Sequence, residues 1–181
     1  MYQIAWCLLH KPQPEWDAAL EAYRQALELL AVPGQTTAQV AALNPRYTIS
    51  LITALDSKGL YEEADAWAGM LKGTSFVEGD VTPGDEPLIN RRRAYLALRS
   101  NDLDTALSLA QVLRDTAEHT YAMLLASIAY FAADRLKKAR QAITTANPTQ
   151  ADVAWIRAIA IGWFNRYDPV KREEYLALLP G

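Results

Sequence analysis

One motif occurs four times along this chain and constrains its fold more than any other feature. In each copy a bulky apolar residue is followed by two polar or small residues and then by alanine, as in the stretch YEEADAWAGMLK. The small side chain lets two antiparallel helices joined by a tight turn approach to about 8 to 10 Å. The copies pair Trp16 with Ala19, Tyr61 with Ala64, Leu103 with Ala106, and Leu136 with Ala139.

The surroundings of the motif predict helical hairpins. Successive motif alanines lie 45, 42 and 33 residues apart, and the two longer spacings coincide with the two longest connections. A base unit of about 33 to 34 residues with two insertions explains all three spacings. Each copy follows a turn former (Pro14, Gly59, Asn101, Asp134), and seven residues after its alanine comes a second apolar position (Ala26, Leu71, Leu113, Ala146).

Apolar residues recur three and four positions apart almost everywhere, which predicts amphipathic helices, and no stretch alternates convincingly as a strand would. Pro45 and Thr149 are typical of helix starts, and Gly59 and Asn147 of helix ends. A short helical turn is expected within residues 33–44, and a loop or small hairpin at 73–86. The predicted helices span residues 2–11, 15–31, 45–57, 60–72, 87–100, 103–116, 120–133, 136–146, 150–166 and 169–179.

Length and charge narrow the class of protein. A chain of 181 residues favours a single domain, residues 1–181. Its net charge of -3 argues against binding to nucleic acids or anionic membranes, which need clustered positive charge. The longest uncharged apolar run, HTYAMLLASIAYFAA, falls short of the ~20 residues of a membrane-spanning helix. With one cysteine and no signal peptide, we expect a cytoplasmic protein, unless the chain is part of a longer one.

With these features the chain resembles the tetratricopeptide repeat family, whose unit is a helix, a turn and a second helix carrying that alanine. The resemblance implies an all-α, right-handed α-solenoid of antiparallel helix pairs with four to five repeats. A non-repeating helical bundle and related helical-hairpin solenoids are the alternatives. The small position of the first helix is Cys7, Ala94 and Ser127 in three copies and Ile52 in the other. The copies span approximately 1–33, 45–75, 87–118 and 120–148, followed by a degenerate repeat or cap at 150–179.

The resemblance also implies a concave groove, lined by the first helices, that binds a protein or peptide. We therefore expect a non-enzymatic adaptor or scaffold module, such as the partner-binding domain of a larger regulator or secretion-related protein. Arginines and aromatic residues in the groove favour a partner with apolar anchors and an acidic group. The groove residues are Arg46, Ile49, Thr53, Arg91, Tyr95, Leu98, Arg99, Tyr121, Leu124, Ile128 and Phe131.

Three consecutive arginines at 91–93 lie in the first turns of a predicted helix and oppose its dipole. Either Asp85 and Glu86 offset them, or Arg91 contributes to a carboxylate or phosphate site. The matching positions do not reproduce the two-carboxylate clamp that some modules of the family carry.

The alternative function is structural self-assembly through the two ends of the solenoid, which gives homo-oligomers. Trp155, Ile159 and Trp163 form one apolar helix face. This face either packs against the preceding helices or forms an interface at the end of the array.

Catalysis finds little support in the sequence. His10 and His119 each lack a companion at metal-binding spacing, and no glycine-rich phosphate loop or nucleophile elbow occurs. We therefore expect no catalytic residue, metal or cofactor.

Overall fold

Every regular element is a helix in residues 2–9, 15–71 and 86–181, which are the part of the chain that this computed structural model describes. The predicted all-α class is confirmed. The helices are α1 (Tyr2–Leu9), α2 (Trp16–Leu30), α3 (Thr37–Leu43), α4 (Pro45–Lys58), α5 (Tyr61–Leu71), α6 (Glu86–Arg99), α7 (Leu103–Val112), α8 (His119–Ala132), α9 (Leu136–Ala146), α10 (Gln150–Tyr167), a 3-10 turn (Pro169–Lys171) and α11 (Arg172–Leu176).

Most helices begin and end within a few residues of the predicted positions. The short helical turn expected within 33–44 is α3, and the hydroxyl of Thr36 accepts a hydrogen bond from the backbone amide of Gln39 at its start. Two ends differ: α7 stops at Val112, four residues early, and the last predicted helix is a 3-10 turn followed by five residues of α11. The expected loop or hairpin at 73–86 lies outside the described residues, except that Glu86 begins α6.

The chain divides into two compact units, Met1–Gly79 and Asp80–Gly181, whereas the length led us to expect one domain. The boundary between the units lies within residues 72–85, outside the described part of the chain. In the first unit, α2 packs against α1 and α4, and α5 packs against α3 and α4. The centre of this unit is α4, in which the side chains from 51 to 57 are all buried.

The second unit is built around α8, which packs against α6, α7, α9 and α10. A helix that is apolar on all sides is normally buried, and Leu125 and Ala129 of α8 have no exposed surface. The chain then returns through α11, which places the phenol of Tyr175 2.7 Å from the hydroxyl of Ser127. Ser127 donates to the Leu124 carbonyl, so Tyr175 is the donor in this pair. Complete burial raises the pKa of Tyr175 well above its usual value.

Three turns share one backbone geometry. They join α4 to α5, α6 to α7 and α8 to α9, and each contains a residue with a left-handed backbone, Gly59 (φ 85°), Asn101 (φ 61°) or Asp134 (φ 58°). The next amide donates to the carbonyl five residues back, which is the closing bond of a Schellman motif. These bonds run from Leu60 to Leu55 (2.9 Å), Asp102 to Ala97 (2.9 Å) and Arg135 to Tyr130 (2.8 Å).

The motif alanines that follow these turns are buried, as the close approach of the paired helices requires. Ala64 and Ala139 have no exposed surface, and Ala106 is 1% exposed. The remaining turn former, Pro14, lies outside the described residues. Three hairpins are thus built by the same local sequence rule.

Candidate functional site

Most side chains that were predicted to line a groove in the second unit are buried inside that unit. The reason is the position of α10, which packs on α8 and reaches the end of α6. The indole nitrogen of Trp163 donates to the Leu98 carbonyl (2.9 Å), and the Tyr167 hydroxyl donates to the Arg99 carbonyl (2.8 Å). Six predicted groove residues are buried and therefore offer little surface to a partner: Tyr95, Leu98, Arg99, Leu124, Ile128 and Phe131.

The face of α10 that we considered as an end interface is also largely buried. Ile159 is 6% exposed and Trp163 is 7% exposed, whereas Trp155 is half-buried. The Trp163 ring contacts the rings of Phe164 (4.9 Å between centroids) and Tyr167 (5.3 Å). Trp163 therefore belongs to the interior of the second unit.

In the first unit, the predicted groove residues lie on α4 and differ in exposure. Arg46 is exposed and Ile49 is half-buried, but Thr53 is buried and its hydroxyl donates to the Ile49 carbonyl (2.9 Å). Cys7, which matches buried small positions of the other copies, is exposed on α1. The equivalence of the copies therefore does not extend to the environment of this side chain.

Three of the predicted residues do come together on the second unit and remain partly accessible. Arg91 of α6, Tyr121 of α8 and Trp155 of α10 form what we call the Arg91 cluster, with Glu118 and Asp152 beside them. The guanidinium carbon of Arg91 lies 4.7 Å from the centre of the Tyr121 ring. The rings of Tyr121 and Trp155 meet edge to face with centroids 5.0 Å apart. Each of these three side chains comes from near the N-terminal end of its helix.

The charges of the cluster are nearly balanced within it. Arg91 donates through Nη1 to Oε2 of Glu118 at 2.7 Å, and the two side chains are 25% and 17% exposed. Partial burial, with a further contribution from the Asp152 carboxylate, raises the pKa of Tyr121, and Arg91 opposes this shift. One carboxylate pairs with the guanidinium and a second lies near Tyr121, so the cluster has no excess of positive charge. The cluster is distinguished by two aromatic rings beside a guanidinium, whose N–H groups other than the one bonded to Glu118 are available as donors.

Sequence reasoning missed Glu118 as the partner of Arg91. We expected Asp85 and Glu86 to offset the arginine run because they are adjacent in sequence; Asp85 lies outside the described residues, and Glu86 is exposed. Glu118 is 27 residues away and comes directly before α8. The signal that the sequence did contain is an acid, Glu118, directly before the first helix of the following repeat.

The described ranges contain neither a cluster of metal-binding side chains nor a helix that could span a membrane. No group of three or more His, Cys, Asp or Glu residues there is arranged to hold a metal ion. The imidazole of His119 instead contacts two backbone carbonyls, those of Arg114 and of Thr145 (3.3 Å from Nε2). No described helix combines the length and the apolarity that crossing a membrane requires.

No protein-family model, no curated protein and no solved structure matches this chain.

Proposed function

We propose that this chain is a non-enzymatic module built of tetratricopeptide-like helix pairs that binds a protein or a peptide. The three equivalent turns and the buried alanine that follows each of them support the repeated helix pair. In repeat proteins of this kind, residues that are not used in packing form the binding surface.

The observation that carries the proposal is the Arg91 cluster. Tyrosine, tryptophan and arginine dominate the energetics of protein interfaces because they combine large area with directed hydrogen bonds. A guanidinium has five N–H donors, and one of those of Arg91 is used by Glu118, which leaves donors for a carbonyl of the partner. Tyr121 and Trp155 are half-buried, and the accessible parts of these two side chains suit an apolar or aromatic side chain.

The charge balance modifies the expectation about the partner. An acidic group was expected, but it would approach Glu118 and Asp152 as well as Arg91, and like charges repel. We therefore propose a peptide that docks mainly through an apolar side chain and a backbone carbonyl.

Selection from a random peptide library, followed by titration of the enriched peptides, tests the proposal. We expect Arg91→Ala and Tyr121→Ala to weaken binding by about tenfold each, the range of a moderate interface residue. The matched control is Arg157→Ala, which removes an exposed arginine of α10 outside the cluster. Failure to enrich any peptide, or equal peptide affinity in all three variants, would refute peptide binding at the Arg91 cluster. Binding that weakens steeply as the salt concentration rises would favour an acidic partner instead.

Self-assembly is the second candidate, favoured by apolar side chains exposed on the first unit. Leu29 is 76% exposed, Leu43 58% and Ile4 55%. Sedimentation over a range of concentrations should then show a mass above that of the monomer, and Leu29→Lys should lower it. A monomer at all concentrations would eliminate this candidate and leave the peptide-binding proposal intact.

A further inference from the structure

A pocket lies on the second unit, on the side of α8 opposite the Arg91 cluster. It has a volume of about 220 Å³, is open to solvent on one side, and is formed by α7, α8 and α9. Tyr121 belongs to the cluster and Tyr130 lines the pocket, and nine residues at 100° each place them about 180° apart around α8. The pocket is therefore independent of the proposed peptide site.

The floor of the pocket is apolar because each of the three helices contributes an alanine where a larger side chain would fill the space. Ala110 of α7, Ala126 of α8 and Ala142 of α9 are all at most 5% exposed. Leu107 and Met123 extend this floor along its length. The surface suits an aliphatic chain.

The rim carries positive charge without any acid. Arg114 and Lys138 line the pocket, and its lining contains no Asp or Glu. Among the described residues, neither side chain has a carboxylate partner, and the Lys138 ammonium lies 5.7 Å from the centre of the Tyr130 ring. The amides of Gln111 and Gln141 add hydrogen-bond donors to the rim.

The backbones of Arg114 and Lys138 lie at opposite ends of the pocket. The backbone carbonyl of Arg114, just after α7, contacts His119 at the start of α8, whereas the Lys138 ammonium lies over the Tyr130 ring, near the end of α8. Met123 and Tyr130 are seven residues apart, and a rise of 1.5 Å per residue makes the pocket about 10 Å long. A cavity of about 150 Å³ can hold one benzene molecule. Scaled in proportion, a pocket of 220 Å³ accommodates roughly nine non-hydrogen atoms.

From this shape and charge we propose that the pocket binds a medium-chain aliphatic carboxylate. The chain lies on the three alanines, and the carboxylate pairs with Arg114 or Lys138 at one end. This gives the module a small-molecule site in addition to its proposed partner surface. For a ligand of about ten atoms in a half-open pocket, we expect a dissociation constant on the order of 1 mM.

Titration of the full chain with octanoate, followed by NMR of ¹³C-labelled methionine methyl groups, tests the proposal. The chain has three methionines, so the spectrum is simple. The Met123 methyl signal should shift and saturate, whereas that of Met70, in the first unit, should not move. Affinity should rise about fourfold per methylene from butanoate to octanoate and then level off, because further methylenes extend beyond the pocket. Octylammonium should bind far more weakly.

Charge variants identify which cation holds the carboxylate. Arg114→Glu or Lys138→Glu should weaken octanoate binding by about tenfold, since reversal removes one attraction and adds a repulsion of similar size. Arg140→Glu is the matched control, an exposed arginine of α9 outside the pocket lining. Weaker octanoate binding in only one of the two pocket variants supports the proposal and identifies the cation that pairs with the carboxylate. Equal binding by all three variants, equal binding of octylammonium, or no shift of Met123 would overturn it.

Discussion

Trp163 provides the sharpest test of the packing of the second unit. Its indole is 7% exposed and donates to the Leu98 carbonyl, which also accepts from the amide of Asn101 (2.9 Å). Because that carbonyl keeps a partner, Trp163→Phe should cost about 1 kcal/mol for the lost hydrogen bond and about 1 kcal/mol more because the smaller ring leaves a cavity. Trp163→Ala also removes a buried ring and should cost about 3 to 5 kcal/mol. Domains of this size have ~5 to 15 kcal/mol of stability, so the alanine variant should be severely destabilised.

Urea unfolding followed by circular dichroism measures both values, with light scattering on the same samples. Arg157→Ala on the same helix is the control and should change the free energy of unfolding by less than ~0.5 kcal/mol. An alanine variant of unchanged stability that loses an oligomeric mass would refute the reasoning. It would place the indole between chains and not inside one.

Three further changes probe other parts of the fold. Tyr175→Phe should cost about 1 kcal/mol at neutral pH for the bond to Ser127. Because burial raises the pKa of Tyr175, the contribution of this residue to stability is complete below the unfolded pKa of ~10. Above that pH it is lost, by up to ~1.4 kcal/mol per pH unit. At alkaline pH, the free energy of unfolding should therefore fall less steeply with pH in the variant than in the original chain. Arg24→Ala removes a two-oxygen ion pair with Glu63 (2.7 and 2.8 Å), yet both side chains are 38% exposed, so denaturant unfolding should show a loss below ~1 kcal/mol. Asn147→Ala forces alanine to a φ of 46° and should lower stability by ~1 to 2 kcal/mol in a thermal melt, whereas Asn147→Gly should not.

The helices and their turns could be predicted because their causes are local in the sequence. A left-handed residue is needed to end α4, α6 and α8, and Gly, Asn and Asp are the residues that adopt this backbone most readily. The motif alanine then follows at a fixed distance, so the hairpins can be read without knowing what surrounds them. The Thr149 cap of α10 is equally local, since its partner Asp152 is three residues away.

Burial in the second unit could not be predicted from the same pattern. Periodicity shows that a helix has an apolar face but does not identify the neighbour that covers it, and we assigned the faces of α6 and α8 by analogy with an open groove. One signal pointed elsewhere: the uncharged run of α8 is apolar around its whole circumference, which is typical of a helix enclosed on all sides.

The candidate sites depend on contacts between residues that lie far apart in the sequence. Arg91 and Glu118 pair across 27 residues, and the pocket forms only where three alanines of different helices face each other. Adjacent charges suggested a local partner for Arg91, but the folded chain supplied a distant one.

The hydrogen bond from Trp163 to Leu98 changes how the second unit can come apart. In a linear array of hairpins, each pair contacts only its neighbours, so the last pair can fray while the rest stays folded. Here α10 packs on α8 and also bonds to α6, 65 residues earlier, so it contacts more than the neighbouring hairpin. Releasing α10 would expose Leu98 and the apolar side of α8 together, which links α6 and α10 in one cooperative transition. The unit is therefore closed by α10, and a chain ending before Gln150 would leave its interior open to water.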